Sequence, residues 1–197
     1  MKVKNWMVTN VLTVTPEHTV EDALQLMKIH SIRHLPVVEK GLLVGLVTES
    51  SLRPYLSPEK LHLSLREVMI LNPLTVDPDT SIDEVAKIIY KYKIGGLPVV
   101  KNGKLVGIIT VTDIVEAFIE IMGLLRSSSR LDVIPKEDNL DNVLEVIKKA
   151  GGKIISIGME TNLEGKKVYF IRLEKIALDK IALELEILGH KVVSIID

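Results

Sequence analysis

An internal repeat constrains the fold of this chain more than any other feature of its sequence. Shifting the 197-residue sequence by 62 positions places residues 7–53 on residues 69–115 without a gap, with the longest run of identities between 35–38 and 97–100. Repeats of this length are structural units that pack on one another. A unit of about 50 residues buries little apolar surface alone, so we expect the two copies to form one domain.

The first half of each copy predicts a short strand followed by an amphipathic helix. The extended segments end at Pro16 and Pro78. Thr19 and Ser81 then stand three residues before an acidic residue, a spacing typical of a capping box at a helix start. Apolar residues follow with helical spacing. They are Val20, Ala23, Leu24 and Met27 in copy one and Ile82, Val85, Ala86 and Ile89 in copy two.

The second half of each copy predicts a β-hairpin and another helix. In copy one the apolar strands are predicted over 35–38 and 43–47, and in copy two the hairpin turn is Lys101-Asn102-Gly103-Lys104. The second helix is predicted to start just after Thr48 or Thr110. The order within one copy is therefore strand, helix, strand, strand, helix, which belongs to the α/β (α+β) class.

The end of the hairpin in copy two carries a recognisable pattern. It reads Gly107-Ile-Ile-Thr110-Val-Thr-Asp113 and follows the run at 97–100. In this pattern both copies resemble CBS (cystathionine beta-synthase) motifs, copy one over about 1–58 and copy two over about 59–125. Residues 1–125 thus resemble a tandem CBS pair, or Bateman module. The resemblance implies a regulatory protein that binds AMP, ADP, ATP or S-adenosylmethionine between its copies without catalysis.

The resemblance places the ribose of such a ligand at Asp113, with Thr110 one helical turn earlier. A carboxylate that accepts both ribose hydroxyls forms charge-assisted hydrogen bonds. The alternative is that Asp113 only caps the second helix and Thr110 only ends a strand. From copy one, the resemblance implies that the same cleft contains Thr13, Ile32, Arg33, His34 and Pro36.

The basic pair of copy one is the expected phosphate contact of this first cleft. Ile32 would form a wall for adenine, while Arg33 is always charged and His34 titrates near neutral pH. The alternative is that Arg33 and His34 form a solvated turn and that the imidazole packs at the sheet edge.

A second cleft, related to the first by the repeat, lacks both polar contacts. Ser51 stands where the ribose carboxylate is expected, and Gly95-Gly96 replace the basic pair, which we expect to leave room but no cation. We therefore expect weak or no nucleotide binding there, although an uncharged adenosyl group could be accepted. This cleft would be formed by Thr75, Ile94, Gly95, Gly96, Thr48 and Ser51.

Composition excludes several other functions. The chain has 25 Lys and Arg against 26 Asp and Glu, a net charge of -1, which argues against nucleic-acid binding. It has no cysteine, which excludes disulfides and thiolate metal sites. We find no histidine spacing typical of a metal site, no catalytic constellation, no membrane segment and no signal peptide, so we expect a cytoplasmic protein that is not an enzyme.

The last third of the chain predicts a separate domain over 130–197 after a Ser-rich linker at 126–129. The predicted elements are a strand at 130–134, a helix at 139–150, strands at 153–159 and 167–173, a helix at 174–188 and a strand at 191–196. This βαββαβ order is ferredoxin-like. Its position after a CBS pair resembles an ACT domain, as in the CBS-ACT proteins of acetoin utilisation.

The predicted turn after the first strand of this domain differs from the ACT pattern. Amino-acid-binding ACT domains usually carry an acidic residue and a glycine there, whereas this chain has Pro135-Lys-Glu-Asp-Asn139. A dimerising or partner-docking domain is therefore favoured over an amino-acid sensor. For the whole chain we expect a homodimeric sensor of an adenosine nucleotide that acts on a protein partner. The rivals are a scaffold without a ligand and, least favoured, an enzyme acting on acetoin.

Overall fold

Helix caps and β-turns at the expected places define the first repeat in the computed structural model, which describes residues 1–196. Helix α1 (Val20–His30) begins at Thr19, whose hydroxyl accepts from the Asp22 N–H while the Asp22 carboxylate accepts from the Thr19 N–H, as the capping-box spacing predicts. Strands β1 (His34–Glu39) and β2 (Leu42–Thr48) form the predicted hairpin. Helix α2 (Glu49–Leu52) follows.

The second repeat has the same order of elements. After the short helix α3 (Leu65–Val68) and strand β3 (Ile70–Leu71) come helix α4 (Ile82–Tyr92), strands β4 (Gly96–Lys101) and β5 (Lys104–Thr110), and helix α5 (Val111–Ile121). The extended segments before α1 and α4 pair through Val14 with Val37 and through Val76 with Val99, in parallel. The repeat therefore predicted the elements of both copies.

The second helices of the two copies differ in length. Helix α5 runs for 11 residues, but α2 ends after 4 and passes into a 3-10 turn at Arg53–Tyr55. Pro54 explains the early end, because proline lacks the N–H that the next helical turn requires.

Each copy is completed by a segment that precedes the other copy in the chain. We call residues 1–8 the first arm and residues 63–70, their equivalents under the 62-residue shift, the second arm. The first arm joins copy two, where the Val3 N–H donates to Thr80 and Val8 pairs with Ile108 of β5. The second arm joins copy one, where the Leu65 N–H donates to His18 at 2.7 Å. The two copies therefore exchange their N-terminal arms.

Two glycines allow the arms to lie close to the sheets. A Cβ on Gly45 would stand 2.5 Å from Sδ of Met69, and one on Gly107 would stand 2.6 Å from Sδ of Met7. Real Cβ atoms do not approach a neighbour so closely, so a side chain at either position would displace the arm. This packing explains why the repeat preserves these glycines and methionines as matched pairs.

The chain divides into two compact units, Met1–Val115 and Glu116–Asp197, the last residue lying outside the described range. The division falls within α5 and thus before the linker predicted at 126–129. The last two residues of that predicted linker were misassigned, because Ser128 and Ser129 already belong to strand β6 (Ser128–Ile134). Ser129 is buried there, and its hydroxyl donates to the carbonyl of Ile176 at 2.7 Å.

The second unit contains one antiparallel sheet of four strands. Its elements are β6, helix α6 (Leu140–Lys149), strands β7 (Ile154–Thr161) and β8 (Lys167–Glu174), helix α7 (Asp179–Ile187) and strand β9 (Lys191–Ile196). The strand order β7-β8-β6-β9 and the element order βαββαβ are those of a ferredoxin-like arrangement. Its core is formed by residues of both helices and of strands β6 and β8. They are Val143, Val146 and Ile147 of α6, Ile181 and Leu185 of α7, and Leu131, Val133, Ile171 and Leu173 of the strands.

The start of helix α7 was predicted too early. The helix begins at Asp179 rather than at residue 174, because Glu174 still belongs to β8 and its N–H donates to Lys153 at 2.8 Å. The N–H of Ile176 then donates to the Ser129 hydroxyl, which keeps the following segment out of helical geometry. These bonds link residues far apart in sequence and could not be read from local periodicity.

A buried histidine fixes the turn between β6 and α6. Nδ1 of His190 accepts the backbone N–H of Lys136 at 3.0 Å, so Nε2 carries the proton and donates to Asn142 at 2.7 Å. Burial, and next the charge of Lys136, lowers the pKa of His190. In this turn Glu137 and Asp138 have φ values of 53° and 58°, so the backbone enters the left-handed region without a glycine.

Candidate functional site

The proposed ribose residue Asp113 lies at the start of α5 and is half-buried. Its Oδ2 accepts hydrogen bonds from both the backbone N–H and the hydroxyl of Thr110, each at 2.7 Å. The capping alternative is therefore correct as far as it goes. Among residues 1–196, however, no hydrogen bond reaches Oδ1 of Asp113, so capping leaves one carboxylate oxygen for a ligand hydroxyl.

The equivalent position in copy one has the same backbone but different chemistry. Ser51 accepts the Thr48 N–H at 2.9 Å and donates its own hydroxyl to the Thr48 carbonyl at 3.0 Å. The single hydroxyl proton of Ser51 is thus already used within the helix cap. Without a carboxylate, this position is a poorer acceptor for the two hydroxyls of a ribose.

The extended segment that carries Thr13 lies beside β1, the strand that carries Pro36. Val14, which follows the exposed Thr13, donates its N–H to the carbonyl of the buried Pro36 at 3.1 Å. The half-buried Ile32 follows the left-handed Ser31 that ends α1, and its N–H donates to Met27. Pro36 thus lies within β1 and Ile32 shortly before it, while their place in a ligand cleft stays a prediction.

The basic pair separates into one exposed and one half-buried side chain. Arg33 is exposed, and its carbonyl accepts the N–H of Glu49 at the start of α2. The His34 ring turns instead toward copy two, where a Cβ on Gly95 would stand 2.8 Å from its Nε2. Burial, and next the charge of Arg33, lowers the pKa of His34.

His34 thereby reaches the segment that carries Thr110 and Asp113. The carbonyl of Gly95 accepts the N–H of Val111 at 3.0 Å, which fixes Gly95 beside the start of α5. A side chain from copy one therefore meets the helix start of copy two, which is what a cleft drawing on both copies requires.

The expectation that Gly95 and Gly96 leave room in the second cleft is wrong. The His34 ring fills the space beside Gly95, and a Cβ on Gly96 would stand 3.0 Å from the carbonyl oxygen of Ile109 and 3.1 Å from Cγ2 of Thr110. The alignment of the repeat showed that these positions differ, but it could not show that a side chain of one copy enters the other. The two remaining members of this cleft are Thr75, which is exposed, and Ile94, which is half-buried.

His18 has a structural partner, and the described residues show no metal site. Nδ1 of His18 accepts the N–H of Thr15, and within residues 1–196 no group of three or more His, Asp or Glu side chains is arranged to hold a metal ion. No helix of the described chain is both long and apolar enough to cross a membrane.

A family model for the CBS domain matches the chain twice, over residues 3–58 and 65–120. The chain belongs to the CBS-domain family. The matches cover the two repeats and most of each arm. The CBS pair is therefore the part of this protein whose family is shown, while the ACT-like interpretation of the second unit stays a prediction.

Three solved structures are similar to this CBS protein. A protein assigned to acetoin utilization (AcuB) from Vibrio cholerae is 36% identical, with a TM-score of 0.58 over 64% of this chain and 95% of that one. CBSX2 in complex with AMP is 30% identical, with a TM-score of 0.57 over 61% and 97%. The CBS pair of MJ0100, in complex with 5'-methylthioadenosine and S-adenosyl-L-methionine, is 32% identical, with a TM-score of 0.56 over 60% and 95%.

Enzymes are also among the curated relatives. Inosine-5'-monophosphate dehydrogenase of Korarchaeum cryptofilum is 38% identical over 114 residues, which are 57% of this chain but only 23% of the enzyme. The match is therefore to a small part of that protein, and its activity does not transfer to this chain.

Proposed function

We propose that this CBS protein is a non-catalytic regulatory protein that binds an adenosine nucleotide in its first cleft. The observation that carries the proposal is the cross-copy arrangement at the start of α5. There Asp113 keeps one carboxylate oxygen outside the helix cap, and His34 of copy one lies beside Gly95 of copy two. A carboxylate for the ribose and an imidazole for the phosphate are thus supplied by different copies.

The ligands of two similar structures support the choice of an adenosine compound. CBSX2 is bound to AMP, and the CBS pair of MJ0100 is bound to 5'-methylthioadenosine and S-adenosyl-L-methionine. AMP, ADP or ATP fits the first cleft better than adenosyl compounds without a phosphate, because Arg33 and His34 offer donors to a phosphate. The ligand would act as a regulatory input rather than as a cofactor.

The decisive experiment is isothermal titration of Asp113→Ala with AMP, ATP and S-adenosylmethionine, beside the unmodified protein. Loss of one charge-assisted contact is expected to weaken nucleotide binding at least tenfold, about 1.4 kcal/mol. The matched control is Asp22→Ala, because Asp22 caps α1 through the same pair of bonds to Thr19 but lies outside the cleft. If both variants bind alike, the ribose assignment fails.

Helix α5 also supports the proposal of a homodimer. Val111, Val115 and Phe118 follow one another at spacings of four and three residues, and each is more than 40% exposed. Apolar side chains spaced in this way form the seams through which helices pack on each other. Sedimentation equilibrium is expected to give a dimer that Phe118→Glu converts to monomer, whereas a dimer that resists this change would place the interface elsewhere.

The remaining candidate functions are a scaffold without a ligand, which the same titrations test, and an amino-acid sensor, which needs a titration with amino acids. If no adenosine compound binds, the CBS pair is a dimerising scaffold. If the second unit binds an amino acid, the ligand would have to meet the turn at Lys136–Asp138, which has left-handed backbone at two positions. Coupling to a protein partner would require that the ligand bind two conformations of the chain with different affinity.

A further inference from the structure

The two clefts are built on one backbone pattern. In each copy the carbonyl of the residue just before the hairpin accepts the N–H of the first residue of the helix that follows the hairpin. These bonds, both 3.0 Å, run from Glu49 to Arg33 and from Val111 to Gly95. In each copy a side chain three residues beyond the strand-ending threonine accepts that threonine's N–H. The clefts therefore differ in side chains rather than in backbone.

One of those differences is steric. His34 stands at the position that Gly96 has in copy two, and its ring extends over Gly95 of the opposite copy. A Cβ on Gly95 would stand 2.8 Å from Nε2 and 2.9 Å from Cε1, so the ring already occupies the space that a side chain would take there. Copy two has no equivalent ring that could extend over copy one, since residues 95 and 96 are both glycine.

We propose that the His34 ring closes the second cleft and that this cleft binds an adenosyl ligand once the ring is removed and a ribose carboxylate is supplied. The inference rests on the proposed function, since it assumes that the CBS clefts accept adenosine compounds. A ligand entering beside Gly95 would displace His34 from its place next to the start of α5. Binding in the second cleft would thus oppose binding in the first, a negative coupling between the two.

The test measures the second cleft alone, in protein whose first cleft is disabled by Asp113→Ala. Ser51→Asp supplies the missing carboxylate, because Asp113 shows that an aspartate fits this cap. Isothermal titrations with AMP and with S-adenosylmethionine then compare Ser51→Asp with Ser51→Asp plus His34→Ala. We expect at least tenfold tighter binding, at one site per chain, when the ring is removed.

Arg33→Ala in place of His34→Ala is the matched control. It deletes the neighbouring cation, which is exposed and not in contact with Gly95, and is expected to open nothing. Since removing a half-buried ring could disturb the fold, His34→Gly, which copies the residue of copy two, must give the same result. Circular dichroism melts establish that each variant is folded.

Three results would overturn the proposal. They are tight binding with Ser51→Asp alone, no binding when the ring is also removed, and equal gains from Arg33→Ala and His34→Ala. Failure of the first-cleft assignment gives a different pattern. The unmodified protein would then bind nothing, while the variant with Ser51→Asp and His34→Ala would still bind.

Discussion

The two copies of the CBS repeat share their scaffold but not the charged groups of their clefts. The paired positions that build the sheets and seat the arms are identical or similar, as at Gly45 and Gly107 or Met7 and Met69. Among the positions assigned to the clefts, Ser51 corresponds to Asp113 and the basic pair to two glycines, whereas Thr13 and Thr75, Ile32 and Ile94, and Thr48 and Thr110 are identical pairs. The clefts therefore differ in their charged groups rather than in every residue that would meet a ligand.

The exchange of arms explains why the scaffold has stayed symmetric. Val3 of the first arm and Leu65 of the second arm are both fully buried. Val3 is buried in copy two and Leu65 in copy one. A substitution in the first arm therefore affects copy two, and a substitution in the second arm affects copy one. Both arm sequences are restrained by this packing. The clefts carry no such restraint, because a ligand needs only one complete set of contacts.

The arms provide the largest predicted effect. Leu65→Ala should lower the free energy of unfolding by about 3 kcal/mol, through lost burial and a cavity in the core of copy one. Val3→Ala removes fewer buried carbons from copy two and should cost about 2 kcal/mol. Urea denaturation followed by circular dichroism and by the fluorescence of Trp6, the single tryptophan, measures both.

Leu56→Ala is the control for this pair, since Leu56 lies outside both arms, just after the 3-10 turn of copy one, and is 53% exposed. Its effect should stay within about 0.5 kcal/mol. If Leu65→Ala were as mild as this control, the second arm would not be part of the core of copy one, and the symmetry of the exchange would be lost.

The sequence predicted the elements well where local signals and the repeat agree. The cap at Thr19 and the hairpin before Thr48 are local features, and the repeat supplied their counterparts. The late start of α7 and the inclusion of Ser129 in β6 were missed, because both depend on bonds between β6 and the segment after β8. Such partners are distant in sequence and leave no periodic pattern.

For the candidate site, the sequence identified residues but not directions. It showed that Arg33 and His34 replace two glycines, yet it treated the pair as one basic contact. In the structure Arg33 is exposed, whereas His34 packs on Gly95 of the other copy. Whether the second cleft is filled or open depends on how the two copies pack, and an alignment of the copies does not show it.

Ion pairs at the arms provide the smallest predicted effect. In copy two Asp79 bonds to Lys4 at 2.8 Å and to Lys2 at 3.1 Å, and Lys4, followed by Lys2, lowers the pKa of Asp79 to about 2. In copy one the equivalent pair is Arg66 with Glu17, and Arg66 likewise lowers the pKa of Glu17. NMR titration of Lys4→Ala should show the pKa of Asp79 rising toward its ordinary value of 3.8, with a smaller rise in Lys2→Ala.

Because a lowered carboxyl pKa stabilises the fold above the unfolded-state pKa, that contribution should disappear as the pH falls through about 2. The change in stability at neutral pH should be slight and should shrink further in high salt, since these groups are exposed. Lys40→Ala, which alters an exposed lysine outside the arms, should leave the pKa of Asp79 unchanged. An Asp79 pKa that is also unchanged in Lys4→Ala would show that the two arms are held differently, by apolar packing alone in copy two.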